Sequence, residues 1–415
     1  MINRIIIKNF GPIKDGFKDK DRNDWMDFNK VTVFIGNQGS GKSTVAKLIS
    51  TLTWIEKALV RGDFTEKHLN THNRFMKYCS YQNIGNYFND KTIIEYVGKA
   101  FSISFKFGKV LIKKNDDNGY SFPKIMYVPS ERNFVSSVRN VNTLKGLPST
   151  LYTFSDEYIK AIETIKGQVE LPINDAKFEY QKLNKLSWIV GKDYKIKLSE
   201  ASSGFQSFVP LYIVSNFLSG SLKKKDDNTI KEISIDEEKR IRKEIEQILS
   251  NPNISDDVKQ ASLEFLSAKF TYSSFINIVE EPEQNLFPTS QKQLLDSLLK
   301  FNNVNDDNKL IITTHSPYLI NYLTLAVKAK HIFNKLMNFS DKKPAFYLAR
   351  INQIVPHKSM VASEDVIIYE LNEQDGRIRL LENDNSLPSD ENQLNERLGE
   401  SNELFAKLLE IQQQI

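Results

Sequence analysis

Nine consecutive residues near the start of the chain have the types and the spacing of a phosphate-binding loop. They fit the pattern G-x-x-x-x-G-K-[ST], which is informative when a strand precedes it and a helix follows it. An apolar, β-branched run over residues 31–35 comes directly before the pattern, and a helix-type sequence over 45–54 comes directly after it. The nine residues are Gly36, Asn37, Gln38, Gly39, Ser40, Gly41, Lys42, Ser43 and Thr44.

The chemistry of this loop follows from its residue types. Its glycines let backbone N–H groups turn inward around phosphate oxygens, and the N-terminus of the following helix adds partial positive charge. We expect Lys42 to contact the β- and γ-phosphates and the Ser43 hydroxyl to bind Mg²⁺. The sequence therefore predicts ATP and Mg²⁺ as ligands of this segment.

Polar side chains follow three further predicted strands. Glu280 and Glu281 end one apolar run, His315 follows the next, and Glu131 and Arg132 follow an earlier one. Parallel strands bring their carboxyl ends to one crevice, so these side chains are predicted to converge on one site. Two adjacent buried acids are costly unless a cation or ligand uses them, and His315 is interpreted as a catalytic or sensing group. For the pair at 131 and 132, a surface ion pair is the open alternative.

A second anion-binding geometry is predicted at Ser203 and Gly204. A hydroxyl, a glycine and the N-terminus of an apolar helix over 208–217 coincide there, with Gln206 in the same segment. The sequence Ser-Ser-Gly is also a common N-cap, so a purely structural role stays open.

The remaining patterns predict an α/β fold that positions these residues. Period-two alternation indicates a small antiparallel sheet before residue 114, and helices and loops without chemistry are expected between 140 and 197. Residues 221–268 change to a mixed-sign, charged sequence with helical spacing, which predicts a helical insertion. Further strands are predicted over 2–10, 92–97, 101–107, 109–113, 365–371 and 377–381, and a final helix over 392–411.

Composition adds only broad limits. The chain has 415 residues, of which 40% are hydrophobic and 26% charged, and this is typical of a folded globular protein. The formal net charge of +4 permits a nucleic-acid partner but does not indicate one. One cysteine, Cys79, excludes an intramolecular disulfide, and no apolar run has the length of a membrane span, so we expect a cytoplasmic protein with no membrane partner.

Together the motifs GNQGSGKST, SSGFQ, IVEEPEQNLFP and TTHSP resemble, in type and order, the Walker A, signature, Walker B with D-loop and switch-histidine motifs of ABC-type ATPase heads. The set is most similar to the branch that includes the structural-maintenance-of-chromosomes (SMC), RecF and OLD families. Within that branch it looks like the ATPase subunits of the bacterial anti-phage systems PARIS (AriA) and Septu (PtuA). The resemblance implies an ABC-type P-loop head with an antiparallel β subdomain and a helical insertion.

The resemblance also implies the domain organisation. Residues 1–220 would form the first part of the head, 221–268 the insertion, 269–350 the second part of the head, and 351–415 a C-terminal strand-turn-strand and helix. Heads of this class pair head to tail around two ATP molecules, so a homodimer or larger homo-oligomer is expected, with nearly inactive monomers.

Residue by residue, the resemblance places Lys42 on the phosphates and Ser43 and Glu280 at Mg²⁺. It makes Glu281 the carboxylate that polarises the attacking water, and His315 the sensor of the γ-phosphate. Ser203, Gly204 and Gln206 would contact the nucleotide of the opposite subunit. The chain departs from the pattern in having Glu280 in place of the usual Asp and Phe205 in place of the second signature glycine, which puts fast turnover in doubt.

Two functions follow from the resemblance. The first is an ATP-gated sensor or scaffold in an anti-phage defence complex. The roughly 100 residues after His315 are too few for an added Toprim nuclease, so we expect the effector, a nuclease, to be a separate protein. The alternative is a RecF- or SMC-like repair or recombination ATPase that contacts DNA through the basic residues Lys109, Lys113, Lys114, Arg132 and Arg139.

Overall fold

The computed structural model describes residues 3–71, 73–115, 120–138, 141, 144–221, 243, 246, 272–338 and 344–413. The predicted insertion over 221–268 lies outside these residues, apart from Ser221, Lys243 and Glu246. Arg139, one of the basic residues assigned to DNA contact, also lies outside them.

The described residues form both β-strands and α-helices. The strands are β1 (Arg4–Lys8), β2 (Gly16–Phe17), β3 (Met26–Asp27), β4 (Val31–Gly36), β5 (Ile93–Val97), β6 (Phe101–Lys106), β7 (Lys109–Lys114), β8 (Pro123–Val128), β9 (Gln168–Glu170), β10 (Lys177–Gln181), β11 (Leu186–Val190), β12 (Lys195–Lys197), β13 (Ser274–Glu280), β14 (Lys309–Thr314), β15 (Val366–Leu371), β16 (Arg377–Leu380), β17 (Asn383–Asp384) and β18 (Leu387–Pro388). The α-helices are α1 (Lys42–Arg61), α2 (Glu66–Asn70), α3 (Arg74–Tyr81), α4 (Phe134–Ser137), α5 (Ser149–Thr164), α6 (Ser203–Ser221), α7 (Pro288–Asn302), α8 (Pro317–Asn338), α9 (Pro344–Ile354) and α10 (Gln393–Gln413).

A seven-stranded sheet with the order β2-β16-β15-β4-β14-β13-β8 is the largest of the sheets. The strands from β15 to β8 are parallel, whereas β16 runs antiparallel to β15. Almost every residue of β4, β13, β14 and β15 is buried, as expected for parallel strands covered on both faces. The predicted α/β fold is confirmed, and the carboxyl ends of β4, β14, β13 and β8 lie side by side.

Two hydrophobic cores cover the opposite faces of this sheet. On β4, Val33 belongs to one core and Phe34 to the other, because successive side chains of a strand point in opposite directions. Helices α5, α6, α7 and α8 contribute to the first core. Helix α1 packs in the second core with a five-stranded antiparallel sheet of order β3-β1-β5-β6-β7. The antiparallel sheet predicted from the alternating segments is therefore present, and β1 and β3 belong to it as well.

One sheet was missed by the sequence patterns. Residues 168–197, where only helices and loops were expected, form a four-stranded antiparallel sheet of order β12-β11-β10-β9. Its strands are short and mostly half-buried, so they alternate weakly between apolar and polar residues. The buried pair Phe178 and Ile189 lies directly opposite across β10 and β11 and packs into the first core. This pair provides the burial that the rest of the sheet lacks.

The C-terminal strand-turn-strand is part of the central sheet. Strand β15 pairs with β4 along its whole length, so the strand that leads into the phosphate-binding loop has β14 on one side and β15 on the other. Buried strands on both sides hold the end of β4 in place.

Candidate active site

The phosphate-binding loop connects β4 to α1, which begins at Lys42. The φ angles of Gly36 and Gly41 are 144° and 100°, a backbone conformation that favours glycine. A Cβ atom at Gly36 would lie 2.3 Å from the carbonyl oxygen of Leu371, so the sheet leaves no room for a side chain. Among the other loop residues, Asn37, Gln38 and Gly39 are exposed, Ser43 is half-buried, and Ser40 and Thr44 are buried.

The Lys42 side chain folds back into this loop. Its Nζ donates to the carbonyl oxygen of Gly36 at 2.7 Å and to that of Asn37 at 2.8 Å. Burial lowers the pKa of Lys42, while the carboxylates of Glu281, Glu283 and Glu373 oppose this shift. The ammonium group is thus held inside the loop, where backbone N–H groups would surround a phosphate.

The two carboxylate oxygens of Glu280, the last residue of β13, differ in their hydrogen bonding. Its Oε2 accepts a hydrogen bond from the backbone N–H of Ser130 at 3.3 Å. Its Oε1 is buried without a hydrogen-bond partner and lies 4.0 Å from Nζ of Lys47, which is on α1. A buried carboxylate oxygen with no donor is costly, and binding of a hard cation would satisfy it. Glu280 and the hydroxyl of Ser43 therefore fit Mg²⁺, which prefers oxygen ligands.

Glu281 and His315 form a pair at the ends of neighbouring strands. Nδ1 of His315 lies 3.6 Å from Oε1 of Glu281. The nearby imidazole of His315 lowers the pKa of Glu281 against the effect of burial, and the Glu281 carboxylate in turn raises the pKa of His315. Glu281 has a φ angle of 42°, a strained value for a non-glycine residue, and strained residues of this kind cluster at functional sites.

A third acid, Glu283, lies next to the same imidazole and was not predicted. Its Oε1 is 3.5 Å from Nδ1 of His315. The side chain is only 6% exposed, and burial raises the pKa of Glu283. The sequence signal was present in Glu-Glu-Pro-Glu, but nothing in the spacing shows that the loop after β13 turns this acid inward.

Arg132 has a different role from the one predicted. It is 0% exposed, and its guanidinium donates to the carbonyl oxygens of Glu280 at 2.7 Å, Glu281 at 2.7 Å, Ser207 at 3.2 Å and Pro129 at 3.3 Å. The prediction that Arg132 contacts a DNA backbone is therefore wrong, because a fully buried guanidinium is not available to a phosphate at the surface. Its donors hold the loop that carries the two acids instead of facing a nucleotide.

Arg132 and its neighbour Glu131 lie in different surroundings. Burial lowers the pKa of Arg132 to about 10, so it stays charged at neutral pH. Glu131, in contrast, is exposed, and among the described residues no hydrogen bond or ion pair of its side chain fixes it at the loop.

The second predicted anion site lies where α6 begins at Ser203. Ser202 and Ser203 are exposed, and the first turn of a helix leaves backbone N–H groups without helical partners. Ser202, which the sequence pattern did not single out, stands at the position just before the helix. Gln206 is used within the chain, because its Nε2 donates to the carbonyl oxygens of Ser199 and Ala201 at 3.1 and 2.9 Å.

The start of α6 contacts the loop that follows β13. A Cβ atom at Gly204 would lie 2.9 Å from the carbonyl oxygen of Asn285, and Nδ2 of Asn285 donates to Oγ of Ser207 at 3.2 Å. Within the described part of the chain, no hydrogen bond or ion pair joins residues 199–206 to residues 36–44.

The remaining predicted groups lie at the surface. Lys109, Lys113 and Lys114 are exposed on β7, the edge strand of the antiparallel sheet.

In the described residues, no helix is both long and apolar enough to cross a membrane. Within the same residues, no group of three His, Cys, Asp or Glu side chains could hold a metal ion by itself.

One comparison with known proteins matches a part of the chain that contains several residues of this site. A family model described as an AAA ATPase domain matches residues 258–320, the segment that contains Glu280, Glu281, Glu283 and His315. The segment is therefore similar to part of an ATPase domain. No curated protein matches the chain.

Solved structures of SMC heads are similar over most of the chain but at low scores. The SMC head domain from Thermotoga maritima has 11% sequence identity and a TM-score of 0.35, and the alignment covers 92% of this chain and 99% of that one. The Smc head domain derived from Pyrococcus furiosus, bound to the C-terminal domain of ScpA, has 9% identity and a TM-score of 0.37, with 91% and 95% covered. The functional interpretation therefore depends on the residues of the site.

Proposed function

We propose that this chain is an ATPase that hydrolyses ATP to ADP and phosphate. The observation that supports the proposal most directly is the pair formed by Glu281 and His315, located at strand ends beside the strand that leads into the phosphate-binding loop. The lowered pKa of Glu281 keeps its carboxylate ionised at neutral pH, as a base that orients a water molecule must be.

The residues of the site have separate roles in this reaction. Lys42 and the loop N–H groups bind the phosphates and stabilise the charge that develops on them. Glu281 accepts a hydrogen bond from the attacking water and points it at the γ-phosphate. His315 directs Nδ1 to the carboxylates, which leaves its Nε2 to donate to a γ-phosphate oxygen. Ser43 and Glu280 would hold Mg²⁺, which supplies neutralisation of phosphate charge when bound.

We further propose that the working unit is a head-to-tail dimer. Each ATP would lie between the phosphate loop of one subunit and the N-terminus of α6 of the other. Two features support this arrangement. Residues 199–206 make no hydrogen bond to the phosphate loop of their own chain within the described residues, and Phe287, next to the same surface, is 74% exposed. Aromatic residues such as phenylalanine are enriched at protein interfaces.

Mixing two inactive variants tests both proposals together. Lys42→Ala removes the phosphate contact, and Ser203→Glu places a carboxylate where the partner's γ-phosphate would lie. In a mixed dimer one site keeps a wild-type lysine and a wild-type serine. Random pairing of independent sites then restores about a quarter of wild-type phosphate release. A mixture no more active than either variant alone would exclude shared sites.

Solution mass provides the physical control for this experiment. Glu281→Gln should bind ATP and Mg²⁺ without turnover and form dimers or larger oligomers, whereas Lys42→Ala should not respond to ATP. Glu170→Gln removes an equal charge from an exposed position and should behave as wild type. An unchanged mass in Glu281→Gln, together with normal phosphate release by wild type, would mean that hydrolysis occurs without ATP-driven assembly.

For the biological role, we propose a sensor or scaffold subunit of an anti-phage defence complex, with a nuclease as separate effector. The support is the resemblance of the four motifs to the ATPase subunits of such systems. The test is DNA cleavage by the purified complex containing wild-type protein or Glu281→Gln. Equal cleavage by both complexes would refute control of the effector by ATP hydrolysis.

The alternative function is a RecF- or SMC-like DNA-binding ATPase, and the three exposed lysines of β7 favour it. Lys109, Lys113 and Lys114 are on one exposed edge strand, where a phosphate backbone could contact them. If these residues neutralise three phosphates, log affinity for duplex DNA should fall by about 2.7 for each tenfold rise in salt. Changing all three to Gln should abolish that slope, and binding that does not depend on salt would rule the alternative out.

A further inference from the structure

The carboxylate of Glu283 fixes the place where the chain leaves β14. Its Oε1 accepts a hydrogen bond from the Thr314 hydroxyl at 2.8 Å and another from the backbone N–H of His315 at 2.9 Å. The Thr314 hydroxyl in turn accepts from the backbone N–H of Ser316 at 2.9 Å. One oxygen atom thus orients three consecutive residues, including the one that carries the imidazole.

The same oxygen faces the imidazole itself. Oε1 of Glu283 lies 3.5 Å from Nδ1 of His315, and Oε1 of Glu281 lies 3.6 Å from the same nitrogen. The other charged group that acts on the ring is Lys42 of the phosphate loop, which opposes protonation. The positive charge of Arg132 also interacts with the carboxylates of Glu283 and Glu281. Two acids of one short segment therefore lie close to the same nitrogen of the ring.

Burying the carboxylate of Glu283 costs more free energy than a purely structural role would require. Its side chain is 6% exposed, and its Oε2 is buried without a hydrogen-bond partner. An amide or hydroxyl could accept the bonds from residues 314 and 315 without placing a second acid in the interior. What these smaller polar groups could not supply is a negative charge next to Nδ1.

We propose that Glu283 is a positioning residue for His315, holding Nδ1–H so that the ring stays protonated and turns Nε2 toward the phosphate side. This proposal rests on the proposed role of His315 in ATP hydrolysis. Glu283 sets the position of the ring through residues 314 and 315, and its charge adds to that of Glu281 in favouring the protonated ring.

The direct test is the titration of the His315 ring by NMR in the protein without ATP. The His315→Gln spectrum identifies the ring signal. In wild type the ring should titrate above the usual value of 6.5. Glu283→Gln keeps an oxygen acceptor for Thr314 and for the His315 backbone but removes the charge, so the ring pKa should fall by about one unit. The alkaline limb of the pH–rate profile should move to lower pH by the same amount.

Two further variants separate charge from general disturbance. Glu56→Gln is a matched control, because Glu56 is also a buried acid that accepts backbone hydrogen bonds, from Ala100 and Phe101, in the antiparallel sheet. It should leave the His315 titration unchanged. Glu283→Asp keeps the charge on a shorter side chain and should retain most of the raised ring pKa, with a higher KM if the ring is displaced.

The outcomes distinguish this inference from the proposed function. A folded Glu283→Gln protein whose His315 ring titrates as in wild type would overturn the inference. If Glu283→Gln does not fold, a wild-type ring that titrates at or below 6.5 overturns it equally. The His315 ring could titrate at lower pH in Glu283→Gln than in wild type while the wild-type protein releases no phosphate from ATP. That result would support the inference and refute the proposed ATPase reaction.

Discussion

Arg132 offers the sharpest test of how the site is built. Replacing it by Met keeps an unbranched side chain of similar length in the cavity and removes the guanidinium. The four carbonyl oxygens that accept its hydrogen bonds lie in three places: directly after β8, at the end of β13 with the residue that follows it, and in helix α6. Arg132→Met should therefore weaken both the stability of the molecule and the geometry of the loop that holds Glu280 and Glu281.

The magnitude follows from the partners that remain. The carbonyl oxygen of Glu281 keeps the backbone N–H of Gln284, and that of Pro129 keeps the backbone N–H of residue 132 itself. Breaking one side of a buried charged network costs about 3–5 kcal/mol, and we take the lower end, about 3 kcal/mol, because these two acceptors stay satisfied. A displacement of the Glu281 backbone by about 1 Å would add a loss of about 100-fold in ATP turnover.

Urea unfolding and phosphate release measure the two effects separately. With a slope of about 3 kcal/mol per M, the urea midpoint should fall by about 1 M. Arg377→Met is the matched control, because Arg377 is 62% exposed and its ion pairs are 3.6 and 3.7 Å long, so its midpoint should stay within about 0.2 M. An Arg132→Met protein with wild-type midpoint and turnover would refute the reasoning, since the bonds would then only offset the burial of the charge.

Three further predictions concern pH, packing and reactivity. The pKa of Glu281 is lowered, so ATP turnover should persist below pH 4.5 until the protein unfolds. The pKa of His315 is raised, so turnover should decline only as the pH rises through a value above 6.5. A decline in turnover centred below pH 6.5 would contradict the pairing of Glu281 with His315. Gly204→Ala should lower the urea midpoint because its Cβ would meet Asn285, whereas Gly220→Ala, in the same helix with open space, should raise stability by up to about 1 kcal/mol. Burial raises the pKa of Cys79 to about 12, so a thiol reagent should label it only after unfolding; rapid labelling of the native protein would contradict its burial.

The main elements of the fold could be predicted because their patterns are strong and local. Strands β4, β13 and β14 are continuous apolar runs bounded by polar residues, and the phosphate loop has a fixed pattern of glycines. The sheet of β9 to β12 could not be predicted, because its strands contain few fully buried residues. Phe178 and Ile189 are the buried residues of β10 and β11. Burial there depends on contacts with the first core that are distant in sequence, and no local periodicity records them.

Some residues of the site could likewise be predicted from the sequence, and others could not. Glu281 and His315 stand at strand ends, and Lys42 begins the helix after the phosphate loop, so that sequence spacing indicates a shared crevice. The role of Arg132 could not be predicted, because a guanidinium that binds four carbonyl oxygens has the same sequence signature as one that binds a phosphate. Glu283 was missed for a related reason: its orientation depends on the positive φ angle of Glu281 and on the turn in which the N–H of Gln284 bonds to the Glu281 carbonyl oxygen.

The buried contacts also show why the two halves of the site are expected to move together. Arg132 binds the carbonyl oxygens of Glu280 and Glu281 on one side and of Ser207 on the other. Gly204 leaves room for the backbone of Asn285 to lie directly against the same helix. A displacement of α6 therefore cannot leave the loop of the acids unchanged without breaking these buried bonds. In the proposed dimer, the element that contacts the partner's nucleotide is thus fixed to the carboxylates that act on the subunit's own nucleotide.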